Sequence, residues 1–175
     1  MDEKPLILFQ DEARFGRIGD VRKSWAPKGV RPVCQSQFIR EYFYVYSAVS
    51  PDEGEMFSLI LPEASTEAMN IYCSELSSNY SDRKILMFMD KAGWHVSKKL
   101  KLPENLAIEF LPPYSPELNP QENVWKYFRT NCFANTYFDS LEHVEDLLMK
   151  EIPALSNDKD KVKSIAGYSW IIDSI

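Results

Sequence analysis

Two short apolar runs, each followed at once by an acid, set the frame for this chain. Pro5 to Gln10 (Pro-Leu-Ile-Leu-Phe-Gln) leads into Asp11-Glu12, and Lys84 to Met89 (Lys-Ile-Leu-Met-Phe-Met) leads into Asp90. Both runs are too short for a helix and too continuously apolar for a half-exposed strand, so each reads as a buried strand. Leu106 to Leu111, ahead of Pro112-Pro113, reads as a third short strand. Glu41 to Ser50 is dense in aromatic and β-branched residues and predicts another. Pro51-Asp52-Glu53-Gly54 is a turn, and Glu55 to Leu61 follows as the next strand, so the first three strands predict an antiparallel meander. Between Arg17 and Arg31, Gly19-Asp20 and Pro27-Lys28-Gly29 mark turns.

Helices fill the rest. Ser65 is a candidate N-cap for a helix to about Tyr80, with Met69, Ile71, Tyr72 and Leu76 at helical spacing. Asn119 is a candidate cap for a helix with Pro120 at its first position, running through Trp125 and Phe128. A further helix is expected from about Ser140 to Lys150, ended by Pro153, and the tail from Asn157 reads as helical with a frayed start. Strands first and helices later predict a mixed α/β sheet with helices packed on it.

The 175 residues are 45% hydrophobic, enough for a packed core, and this excludes global disorder. No apolar run approaches the roughly 18 residues of a membrane span, and the start lacks the pattern of a secretory signal. Cys34, Cys73 and Cys132 are odd in number and far apart, and they predict reduced thiols in a cytoplasmic protein. The net charge of −6 argues against general nucleic-acid binding. However, Arg14, Arg17, Arg22, Lys23, Lys28 and Arg31 stand against Asp20 alone, a local +5 on a body that sums to −11. Such a strip can bind a polyanion, because the local field governs contact.

Asp11 and Asp90 close two buried runs, and Glu122 falls in the first turn of the helix after Asn119-Pro120. Taken singly, each reads as a solvated turn or cap. Brought together, three carboxylates repel unless a cation neutralises them. Hard oxygen ligands with open positions select Mg²⁺ or Mn²⁺, and two such ions can assist phosphodiester chemistry.

The residues around these acids sharpen the reading. Phe9-Gln10-Asp11-Glu12-Ala13-Arg14-Phe15, Met89-Asp90-Lys91-Ala92-Gly93-Trp94-His95, and Leu111-Pro112-Pro113-Tyr114-Ser115-Pro116-Glu117-Leu118-Asn119-Pro120-Gln121-Glu122-Asn123-Val124-Trp125 occur in that order. This pattern resembles the catalytic domain of DDE transposases of the IS630 group, in the Tc1/mariner superfamily, over about residues 5 to 150. The resemblance implies an RNase H-like fold, a mixed sheet of an antiparallel three-strand meander plus parallel strands with flanking helices. It implies Asp11, Asp90 and Glu122 as catalytic and metal-binding residues, with Mg²⁺ or Mn²⁺, two ions, as cofactor. The implied activity is DNA strand cleavage at transposon ends and strand transfer to target DNA, at a TA target, by a dimer. Arg14, Arg17, Arg22, Lys23, Lys91, His95 and Lys98 are the candidate DNA contacts. Lys91 stands where the family commonly has Asn, and it could pair with Asp90 or reach a phosphate. His95 and Glu12 are also candidates for supporting roles, Glu12 because strand alternation turns it away from Asp11.

Relatives carry an N-terminal helix-turn-helix part, and the chain starts ten residues before Asp11. One RNase H-like domain over 1–175 is therefore expected, without that part, either as a fragment or with end recognition supplied by a separate chain from a second reading frame, in a bacterial cytoplasm near the nucleoid. Two other readings stay open: a domesticated remnant that binds DNA or protein, and a nuclease that cuts without joining.

Overall fold

The computed structural model describes residues 4–35 and 37–173. Five strands form one sheet in the order β3-β2-β1-β4-β5. They are β1 (Leu6–Ile18), β2 (Phe38–Val49), β3 (Met56–Leu61), β4 (Ile85–Met89) and β5 (Leu106–Phe110). β1, β2 and β3 pair antiparallel, whereas β1–β4 and β4–β5 pair parallel. The meander and the parallel pair thus meet at β1, as an RNase H-like sheet requires.

β1 departs from the sequence expectation. It does not end at Asp11 but runs on to Ile18, because β2 keeps pairing with it from Phe9↔Val49 to Ile18↔Phe38. Its pairing with β4, by contrast, stops at Phe9↔Phe88. Asp11 therefore lies within a strand that has lost its parallel neighbour, and one flank opens there.

Side-chain alternation along the sheet separates two cores. Leu6, Leu8, Tyr46, Met87 and Met89 face α1 (Thr66–Asn79), which supplies Met69, Tyr72 and Leu76. Ser65 caps α1 as expected, its hydroxyl accepting from the Ala68 N–H. Ala13, Phe15, Val45 and Val49 face the other side, packed by α2 (Gln121–Phe128), α3 (Leu141–Ser156) and α4 (Lys159–Ala166). Burying Trp125 and Phe128 of α2 against Phe15 contributes about 2–3 kcal/mol each. That packing fixes the helix that carries Glu122.

Two helix boundaries differ from expectation. Pro120, not Asn119, occupies the cap position of α2, although the Asn119 side chain still accepts from the Gln121 N–H. α3 continues through Pro153 to Ser156. The proline lies in the last turn of the helix, and Leu155 beyond it is buried in the core, which offsets the lost hydrogen bond. The tail forms α4 and a single turn, α5 (Ser169–Ile172). Among the described residues no helix is long and apolar enough to cross a membrane. Cys34, Cys73 and Cys132 are free thiols.

Candidate active site

The site follows from the parallel register of β1 and β4. Phe9 partners Phe88, and their rings stack at 5.2 Å. Two positions on, at one full side-chain period, stand Asp11 and Asp90. Both acids thus leave the sheet on the side of α2, whose first turn carries Glu122. Asp11, Asp90 and Glu122 line one open cavity of about 420 Å³, walled by Leu111 to Pro116.

Asp11 is the most perturbed acid. Burial pushes its carboxyl up to about 7, and the neighbouring negative charges of Glu12 and Glu122 add to that. The Trp125 indole opposes the shift by donating from Nε1 to Oδ2 at 2.8 Å. Trp125 is therefore both a core residue and the group that orients Asp11. Asp90 behaves oppositely. Its side chain is 63% exposed, and its carboxyl is held below the usual carboxylate range by the His95 hydrogen bond, with help from the Ala92 N–H against partial burial.

His95, a candidate for a phosphate contact or a supporting role, is buried. Its Nδ1 lies 2.8 Å from Asp90 Oδ1, and its Nε2 lies 2.8 Å from Glu12 Oε1. Burial alone would lower the imidazole pKa, but hydrogen bonds to Asp90 and Glu12 outweigh it and raise it to about 9. With acceptors at both nitrogens, the ring is the doubly protonated cation near neutral pH. Glu12 sits on the α1 face as alternation predicts and is also reached by Trp94 Nε1 and Gln10 Nε2.

The other expected DNA contacts divide. Arg14 is exposed, its guanidinium 5.3 Å from the Tyr42 ring centroid. Arg17 is engaged internally, bonding the Phe138 carbonyl and Glu41, with 15% of its side chain exposed. It is thus a structural ion pair, not a free cation. Arg22 is tied to Asp20 and Thr130 but still borders the groove described next. Lys23 and Lys98 are exposed. Lys91 lines the acidic cavity and makes no ion pair with Asp90 among the described residues; its Nζ lies 5.8 Å from the Phe110 ring centroid.

Beside the acids runs a wider groove of about 1150 Å³, joined to the first cavity at Asp11, Asp90 and Ala92. Arg14, Arg22, Arg40 and Arg129 border it, together with Tyr42, Tyr44 and Trp94. Arg40 and Arg129 were not singled out from the sequence. Arg129 follows Glu122 by seven residues, two helical turns, and that spacing was the available signal.

The donor set is all oxygen on the three acids, and Asp11 is crowded by negative charge with no cationic partner among the described residues. This chemistry fits a hard divalent cation. The acids do not yet converge on one point. Among the described residues, no three His, Cys, Asp or Glu side chains are gathered tightly enough to hold a metal ion as they stand. The three therefore share a cavity rather than a single point.

Residues 6–145 match the family described as DDE superfamily endonuclease. An uncharacterized protein of Sinorhizobium fredii, y4pE/y4sA, is 38% identical over 128 residues, 73% of this chain and 95% of that protein. The fold is shared with the Mos1 mariner transposase. A pre-cleavage Mos1 transpososome aligns with a TM-score of 0.66 at 15% identity, over 97% of this chain and 55% of that one. The isolated Mos1 catalytic domain aligns with a TM-score of 0.58 at 12% identity, over 97% of this chain and 81% of that one. The chain thus spans about half the length of the Mos1 chains found in DNA-end complexes.

Proposed function

Because the chain belongs to the DDE superfamily endonuclease family, we propose that it is a transposase catalytic domain of the IS630 group, cutting DNA at transposon ends and joining the freed end to target DNA. The observation that carries this reading is the single cavity shared by Asp11, Asp90 and Glu122, with Asp11 raised to about 7 by burial and negative neighbours. Asp90 is paired with His95, but Asp11 and Glu122 have no cationic partner among the described residues, and carboxylates left so in a cleft are a cation-seeking arrangement.

Asp11, Asp90 and Glu122 would hold Mg²⁺ or Mn²⁺, two ions, with DNA oxygens completing the shell. Such ions, when bound, activate the attacking oxygen and stabilise the leaving one in an in-line displacement. The protein's own part is orientation. Trp125 fixes one oxygen of Asp11, and α2 anchors Glu122 through its buried face. In cleavage, a water oxygen bonds to phosphorus, the P–O3′ bond breaks, and the 3′ oxygen takes up a proton. In joining, that 3′-hydroxyl gives up its proton as its oxygen bonds to a target phosphorus, the target P–O3′ bond breaks, and the departing 3′ oxygen takes up a proton.

Arg14, Arg40 and Arg129 along the adjoining groove supply phosphate contacts beside the acids. Two Mos1 complexes are described with Mn and with Mg, which supports the choice of cation here. Transposon ends and a TA target are the proposed DNA partners, with a dimer on DNA.

The test supplies a pre-cut duplex end bearing a 3′-hydroxyl, a supercoiled plasmid and Mn²⁺. Covalently joined product, absent with Asp90→Asn, supports the transposase reading. Hydrolysis without joining would make the chain a nuclease. No reaction from a folded wild-type protein would favour the remnant that binds DNA or protein.

A further inference from the structure

Glu12 follows Asp11 directly yet points to the opposite face of the sheet, where its side chain is only 6% exposed. A carboxylate buried on the α1 side needs a reason, because an unpaired one is costly to bury. Its partner is the His95 ring, 1% exposed, which lies just past the end of β4. The loop that carries His95 rests on the start of α1, where Thr66 Oγ1 donates to the Trp94 carbonyl. The ring thus reaches around the end of β4 and meets Asp90 on the cavity side.

The contact falls on one oxygen. Asp90 Oδ1 accepts from the Ala92 N–H at 2.9 Å and lies 2.8 Å from His95 Nδ1, whereas Oδ2 takes part in neither bond. Two bonds on Oδ1 remove the rotational freedom that a 63% exposed aspartate would otherwise keep. Turning the ring would cost the bonds at both nitrogens.

We propose that His95 is a positioning residue that turns Asp90 Oδ2 toward the cavity, and that Glu12 acts through it by locking the ring from the far side of the sheet. This rests on the reading of the cavity as a divalent-cation site. The connection resembles the way outer carboxylates orient metal-bound histidines, with the order of the groups reversed.

The test is calorimetric titration of Mn²⁺ into the full chain with a short DNA duplex present. It compares wild type, Glu12→Gln, His95→Ala, the double variant, His95→Gln and Asp90→Ala, with thermal unfolding recorded alongside. Glu12→Gln and His95→Ala should each weaken Mn²⁺ binding by about 10–100-fold. The double variant should be no weaker than His95→Ala alone, because Glu12 would have nothing left to act through. His95→Gln, which keeps a donor for Asp90, should recover part of the loss. Should His95→Ala fail to fold, the nearly isosteric Glu12→Gln still decides the question.

A lower melting temperature with wild-type Mn²⁺ affinity in Glu12→Gln would reduce the pair to a structural brace and overturn the inference alone. Saturable wild-type binding that survives in Asp90→Ala, or no wild-type binding at all, would overturn both the cation site and this inference.

Discussion

Asp11→Asn should make the protein more stable while removing its activity. Asparagine keeps the shape and an oxygen to accept from Trp125 Nε1, but it carries no charge. The carboxyl of Asp11 sits at about 7 in the folded protein against an ordinary value of 3.8. Its folded pKa is raised, so the native state holds a proton that the unfolded chain has already released. Stability therefore falls as pH rises from about 4 to about 7, and then levels off. A shift of roughly three units corresponds to an upper limit of about 4 kcal/mol at high pH. At about pH 5 little more than one unit of that penalty has accrued, so the variant's advantage should widen by about 2–3 kcal/mol between about pH 5 and pH 8.5. For a domain of this size that is about 5–10 °C in melting temperature. The assay is thermal unfolding followed by circular dichroism in chelator at the two pH values. Adding Mg²⁺ should raise the wild type alone and narrow the gap, since ligand binding stabilises only the state that binds. A difference of equal size at both pH values would show that Asp11 titrates normally, and the argument for an uncompensated acid would fail.

Trp125→Phe removes the donor to Asp11 Oδ2 and should cost about 1–3 kcal/mol, with a larger loss at high pH, read by the same unfolding assay. Arg14→Ala and Arg129→Ala should each lower the salt dependence of DNA binding by about one contact. Arg17→Ala should instead lower stability with an unchanged slope, because Arg17 serves Glu41 and Phe138. Gly16→Ala would place a Cβ 2.1 Å from the Glu41 carbonyl oxygen and 2.5 Å from Tyr42 Cβ. It should cost about 1–3 kcal/mol by forcing β1 and β2 apart, which denaturant unfolding would measure.

Much of the sheet was legible because its strands are short apolar runs and its turns carry proline and glycine. The acids Asp11 and Asp90 stood out for the same reason, each being the first charged residue after such a run. The continuation of β1 was not legible in this way. Asp11 to Arg17 is rich in charge, and only the faint alternation of Ala13 and Phe15 marks it as a strand whose one face still meets the core. Pro153 read as a helix end because its missing N–H outweighs local propensity, whereas the buried Leu155 beyond it is a tertiary gain that no local pattern displays. Arg17 and Arg14 look alike in sequence, and only the pairing of β1 with β2 brings Glu41 to the first of them. His95 shows the limit most clearly. Its partner Glu12 lies 83 positions away, so neither its burial nor its bridging contact leaves a local trace.

Asp11, Asp90 and Glu122 are proposed to form one divalent-cation centre for phosphodiester cleavage. The most direct measurement is cleavage of an end-labelled DNA duplex in Mn²⁺ by the wild type and by Asp11→Asn, Asp90→Asn and Glu122→Gln, with folding of each checked by circular dichroism. The wild type should cut, cutting should cease in chelator, and each of the three variants should fall to background. A folded variant of any one of them that cuts at the wild-type rate would contradict a shared centre.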